Sequence, residues 1–129
     1  MNGLILDTHA LLWWLFGDER LSKKAHGAIA DPDHVIWVSA ASAWEISTKA
    51  RLGKLPEAGD VPQKLSYYLR QARFLELGVT VEHGVAAGAL PGPHRDPFDR
   101  MLIAQSIITN CPVVTSDPMF REYGAKVIW

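Results

Sequence analysis

Near the amino terminus a three-residue apolar run, Leu4-Ile5-Leu6, stops at Asp7, after which apolar side chains return at helical spacing as Ala10, Leu11, Trp14 and Leu15. A run of that length reads as a buried strand, and the three- and four-residue spacing reads as an amphipathic helix. The order strand, acid, helix is demanding. A buried strand that feeds straight into a helix belongs to an open α/β sheet, where ligands gather at the carboxyl ends of parallel strands. Asp7 therefore stands where chemistry usually happens, and the question is whether other acids join it.

The 129 residues have the length of one domain, 1–129, enough to bury a sizeable core without staples. A hydrophobic fraction of 48% against 21% charged argues against disorder. No segment is long enough to span a bilayer, and the amino terminus lacks a basic stretch followed by a secretory apolar region, so a soluble protein with no membrane partner is expected. The single cysteine, Cys111, excludes an intrachain disulfide and a cysteine-based zinc site, reads as core, and suits a reducing cytoplasm. Thirteen basic residues against 14 acidic give a net charge of −1, so bulk charge does not mark a nucleic-acid binder. Any nucleic acid would be held by local basic patches or through metal ions.

Ser22 is placed to cap a helix over about 23–30 that ends at Asp31-Pro32-Asp33, and Val35–Val38 is a second β-branched apolar run. Ser39 can cap the helix that carries Trp44, Glu45, Ile46, Lys49 and Leu52 and stops at Gly53. Beyond the turn-rich 56–62 segment, Val61, Leu65, Tyr68, Leu69, Ala72 and Leu75 fall on one helical face. Leu77–Val81 reads as a third strand, Glu82–Leu90 as a small-residue helix, and Pro91-Gly92-Pro93 as a loop. In Asp96-Pro97-Phe98-Asp99, proline suits the first helical position, which makes Asp96 the natural cap and Asp99 the residue three places later. That helix runs to about Thr109. Pro112–Thr115 is a fourth strand ending at Asp117, and Val127–Trp129 a closing edge strand. The alternation predicts a mostly parallel central sheet covered on both faces, a three-layer α/β/α sandwich of Rossmann-like type.

Right-handed crossovers bring Asp7 and Asp117, which end strands, and Glu45 and Asp99, near helix starts, toward one edge of that sheet. Four carboxylates on one rim repel one another unless something positive sits among them, and hard oxygen ligands suit Mg²⁺ or Mn²⁺. Divalent ions of this kind serve metal-dependent nucleases and phosphatases. Each acid has a plainer reading. Asp7 and Asp117 are good helix caps, Glu45 is a surface residue if the row Ala41, Glu45, Thr48, Leu52 faces solvent, and Asp99 is a short partner for a capping box with Asp96. Asp96 reads as the cap itself. The five histidines show no metal-ligand spacing, although His9 and His94 lie near the acids. Thr8, Thr115 and Ser116 flank the strand-end acids and are positioned to donate hydrogen bonds; no paired base makes any of them a nucleophile. Lys49, Arg51 and Lys54 form a small basic cluster, a solvated face or a phosphate contact.

Leu4-Ile5-Leu6-Asp7-Thr8-His9-Ala10, Trp44-Glu45-Ile46-Ser47 with Leu52-Gly53-Lys54-Leu55, Asp96-Pro97-Phe98-Asp99-Arg100 and Thr115-Ser116-Asp117 together resemble the successive motifs of PIN-domain proteins, in particular the VapC-like toxins of bacterial toxin-antitoxin pairs. The resemblance spans nearly the whole chain. It implies a compact α/β/α fold, a Mg²⁺- or Mn²⁺-dependent endoribonuclease, a cognate antitoxin that occludes the active site, and homodimers. Residue by residue, Asp7, Glu45, Asp99 and Asp117 match the family's acidic quartet, and Ser116 a frequent polar neighbour, with Thr8 a further supporting candidate.

On that basis Asp7, Glu45 and Asp99 are expected to hold one metal ion and Asp117 a second ion or its water, for hydrolysis of RNA phosphodiesters without a covalent intermediate. Two alternatives stand beside it. A strand-end-aspartate phosphatase would have another Asp two residues after Asp7, where this chain has His9. A catalytically silent interaction module would use Trp13, Trp14 and Trp129 at an interface, residues that otherwise read as core.

Overall fold

A computed structural model describes residues 2–129. Among them the chain forms strands β1 (Gly3–Leu6), β2 (Val35–Ser39), β3 (Leu75–Leu77), β4 (Val113–Val114) and β5 (Val127–Ile128). The helices are α1 (Thr8–Phe16), α2 (Lys23–Ala30), α3 (Ala40–Arg51), α4 (Leu65–Ala72), α5 (Val81–Ala89), α6 (Pro97–Thr109) and α7 (Pro118–Glu122). The strands make one sheet in the order β3-β2-β1-β4-β5, every pair parallel. β1 is the central strand.

Side chains of a strand point alternately to the two faces, and β1 uses both. Leu4 and Leu6 join Ile36, Val38 and Val114 under α1, α2, α3 and α4, with Leu11, Ile29, Ile46 and Leu69 closing that core. Ile5 faces the other way, with Val113 against Leu102 and Ile103 of α6 and Phe120 of α7. A strand apolar on both faces must be covered on both, which is why this sheet is parallel and sandwiched between helices. Cys111 lies in the second core, 4% exposed. Trp13, Trp14 and Trp129 are half-buried and pack against the first.

The third strand lies earlier than Leu77–Val81. Arg73, at φ 62°, ends α4 in the left-handed region, and Leu75–Leu77 pairs with Trp37–Ser39 of β2. Thr80 then accepts from the His83 N–H while the His83 ring accepts from the Thr80 N–H, a reciprocal cap that starts α5 at Val81. Local capping thus takes the Val79–Val81 stretch out of the sheet. No helix among the described residues is long and apolar enough to cross a membrane.

β1 leads to β2 on one side, and its other neighbour is β4, so the crossovers diverge at its carboxyl end. That divergence opens the crevice where doubly wound sheets bind ligands.

Candidate active site

Asp7 leaves β1 at this crevice. Its N–H donates to the Val114 carbonyl at 3.1 Å, continuing the sheet, while its Oδ1 accepts from the Ala10 N–H at 2.8 Å and caps α1. Asp117, three residues beyond β4, caps α7 in the same way, with Oδ1 accepting from the Met119 N–H at 2.9 Å. Asp96 caps α6 through bonds from the Phe98 and Asp99 N–H groups, as its position before proline predicts.

Glu45 comes from the second turn of α3 and is 4% exposed, which removes the surface reading. Both its oxygens are engaged: Thr8 Oγ1 donates to Oε1 at 2.6 Å and Lys49 Nζ donates to Oε2 at 2.5 Å. Thr8 thus ties the start of α1 to α3. Lys49 was legible only as part of a basic cluster, although its i,i+4 spacing from Glu45 is the standard signal for a helical ion pair. Asp99, on the first turn of α6, has its Oδ2 3.0 Å from His94 Nε2. His94 stands beside the acids, whereas His9 is exposed and its ring meets Trp13. Ser116 is exposed and, with Asp117, lines a hollow of about 400 Å³ walled by Arg121, Val127 and Trp129. Two other hollows, of about 380 and 860 Å³, are lined by none of the four acids.

The acids feel one another. Burial raises the Asp7 carboxyl above its ordinary value; the Thr115 hydroxyl, the Ala10 N–H and His9 pull it down, and Glu45 pushes it up. Burial likewise pushes Asp99 up to about 6, opposed by His94 and reinforced by Asp96, Glu45 and Asp117. Partial burial works against the Lys49 charge, but Glu45, with Asp96 and Asp99 beyond it, more than offsets this and holds the ammonium above its ordinary value. Glu45 and Asp99 are thereby joined electrostatically to Asp7 on one side and Asp117 on the other. Counted formally, four carboxylates are bonded by one lysine and one histidine, so acids outnumber bases in the group.

Hard carboxylate oxygens in that state fit Mg²⁺ or Mn²⁺ by donor type and by charge. In the present arrangement of the described residues, no three His, Cys, Asp or Glu side chains stand close enough to enclose an ion. Asp117 commits one oxygen to a helix cap and keeps the second, Asp7 commits Oδ1 to its cap and also meets the Thr115 hydroxyl, and Glu45 would have to exchange Lys49 or Thr8 for another partner.

Comparison with known proteins bears on the fold and the family. The PIN domain family profile matches residues 4–126. Ribonuclease VapC22 of Mycobacterium tuberculosis is 31% identical over 124 residues, covering 95% of this chain and 93% of the relative. A chain in the crystal structure of VapBC2 from Rickettsia felis bound to a DNA fragment from their promoter superposes with a TM-score of 0.70 at 14% identity, covering 97% of this chain and 96% of that one. A domain of a functionally unknown protein from Methanocaldococcus jannaschii shares the fold more loosely, with a TM-score of 0.52 at 15% identity over 98% of this chain and 89% of that one. A profile match from the first strand almost to the last, together with a relative aligned over nearly the full length, shows that the chain belongs to the PIN-domain family.

Proposed function

We propose that this chain is a divalent-metal-dependent endoribonuclease and the toxin of a toxin-antitoxin pair, acting in the cytoplasm as one domain spanning residues 1–129. The observation that carries the reading is the placement of the acids: Asp7, at the end of the central strand, and Glu45, tied to the start of α1 through Thr8, are both buried, with Asp99 and Asp117 at the starts of α6 and α7. The ribonuclease relative lends the reaction, and the VapBC2 structure lends the expectation of an antitoxin partner. Asp7, Glu45 and Asp99 would hold Mg²⁺ or Mn²⁺, with Asp117 holding a second ion or a water. A bound divalent ion supplies positive charge to phosphate oxygens and makes water a better nucleophile at neutral pH.

The chain's own residues do the rest. Thr8 and Lys49 hold Glu45, and His94 holds Asp99, at the rim; loading a cation would exchange one of the two Glu45 partners for the ion. Thr115, buried at 1% exposed, steadies Asp7 and accepts from the Asp117 N–H, linking the two strand-end acids. Ser116 is free to bond the RNA backbone. A cognate antitoxin covering this rim would silence it, and a homodimer would carry two such rims.

The test is cleavage of total cellular RNA with mapping of new 5′ ends. Wild type with Mg²⁺ or Mn²⁺ is expected to produce discrete ends carrying 5′-phosphates. Asp7→Asn should lower the rate by about 10²- to 10³-fold, the scale of losing one electrostatic stabiliser of a transition state. Full activity in that variant, or in excess EDTA, sinks the proposal.

A further inference from the structure

Two aromatic residues each precede an acid of the group by one position: Trp44 before Glu45 on α3, and Phe98 before Asp99 on α6. Their rings meet edge to face, centroids 4.9 Å apart and planes at 75°. Trp44 is 63% exposed, the most exposed aromatic side chain among the described residues. Scattered apolar side chains on a surface need no explanation, but this indole is fixed against a second ring at the lip of the acid group. Two exposed arginines lie close to the pair in sequence. Arg51 lies two turns along the same face of α3, and Arg95 directly precedes the Asp96 cap.

Carboxylates and a cation recognise a phosphate, which is the same in every nucleotide; they do not hold a strand in place. An aromatic face beside them does, because every base has a π-face, and arginines around it offset the repulsion between carboxylates and neighbouring phosphates. Resting on the ribonuclease reading above, we propose that Trp44, steadied by Phe98, is the stacking platform for an unpaired base next to the phosphodiester held at the acids. Such a platform accepts a base only when it is unpaired, since a base inside a duplex is already stacked on its neighbours. A second copy of the chain is the weaker occupant: a stable pair buries about 800 Å² on each partner, far more than two rings provide.

The probe is an RNA oligonucleotide spanning the strongest cleavage site mapped in total cellular RNA. Trp44→Ala is expected to raise KM about tenfold with a smaller change in kcat, and Trp44→Phe to recover most of that loss. An abasic nucleotide placed in turn on each side of the scissile bond should, at one of the two positions, cost wild type the same factor and cost Trp44→Ala nothing further. Pairing the oligonucleotide to its complement should block cleavage. The inference is overturned if wild type cleaves and Trp44→Ala has an unchanged KM, if the abasic and Trp44→Ala losses simply multiply at both positions, or if Trp44→Ala changes only the sedimentation mass. No cleavage of any RNA by wild type is a different result: it removes the ribonuclease reading, and this inference with it.

Discussion

Asp7 shows how one carboxylate serves two ends. Its Oδ1 caps α1, so helix capping and membership of the acid group are not rivals at this position; each takes one oxygen. Asn caps a helix as well as Asp does, so Asp7→Asn keeps the cap and removes a buried charge whose pKa burial has raised. The metal-free variant should then melt at a higher temperature than wild type at pH 7.5, while losing activity. Asp99 gives the same argument a pH signature. Its folded value of about 6 lies above the ordinary 3.8, so the folded state holds this proton more tightly than the unfolded chain. Where the folded state binds more protons, stability falls as pH rises. The penalty is absent below about pH 4, where the carboxyl is protonated in both states, grows up to about pH 6, and is constant above that. Thermal unfolding in EDTA should show Asp99→Asn matching wild type at pH 3.5 and exceeding it at pH 7.5. A gap of the opposite sign, or one unchanged between those pH values, counts against this reading of the group.

At the level of elements, most of the architecture can be read locally. Leu4-Ile5-Leu6 before Asp7, Ser22 and Ser39 as caps, and Asp96 before Pro97 each signal a boundary through one backbone group that needs a partner, and each of those caps is made. β3 was harder. Leu75 continues the apolar face of α4, and only the left-handed turn at Arg73 and the pairing with β2 show that 75–77 is a strand. Glu45 is ambiguous in sequence because its row is buried only in part: Ala41 and Glu45 are buried, but Leu52, on the same row, is 53% exposed. The sequence places His94 near the acids but not its tie to Asp99, which depends on how the 90–96 loop folds back. Arg100 controls that fold. Its guanidinium donates to the carbonyls of Ala87 at 3.0 Å and His94 at 2.9 Å and also holds that of Leu90, closing the end of α5 and the loop onto α6 in one clamp. Lysine offers a point charge, not a planar fork, and does not span those acceptors. Arg100→Ala and Arg100→Lys should therefore both lower stability by about 1–3 kcal/mol. Faster amide exchange at His94, whose N–H donates to Tyr123 Oη at 2.8 Å, should accompany the loss. Full rescue by lysine contradicts the clamp.

The molecule as a whole carries a charge of only −1, with an acid group at one edge of the sheet and the lysines and arginines spread over several elements. It has no strong net field to draw in a polyanion, so affinity for RNA must come from a few contacts at the rim. For single strands the logarithm of the binding constant falls with the logarithm of salt by about 0.7 per phosphate neutralised. Two or three phosphates met by residues such as Lys49, Arg51 and Arg95 would give a slope of about −2. A divalent cation should act in the opposite direction to monovalent salt. In its absence the acids repel the scissile phosphate, and the free energy of relieving that repulsion appears as tighter binding. Adding Mn²⁺ at fixed ionic strength should thus tighten binding of the oligonucleotide by wild type, and Asp7→Asn should lose most of that increment while keeping the same monovalent slope. A slope of about −5 or steeper with no divalent increment would place the affinity in an extended basic surface instead, and would separate RNA binding from the acids at the end of the central strand.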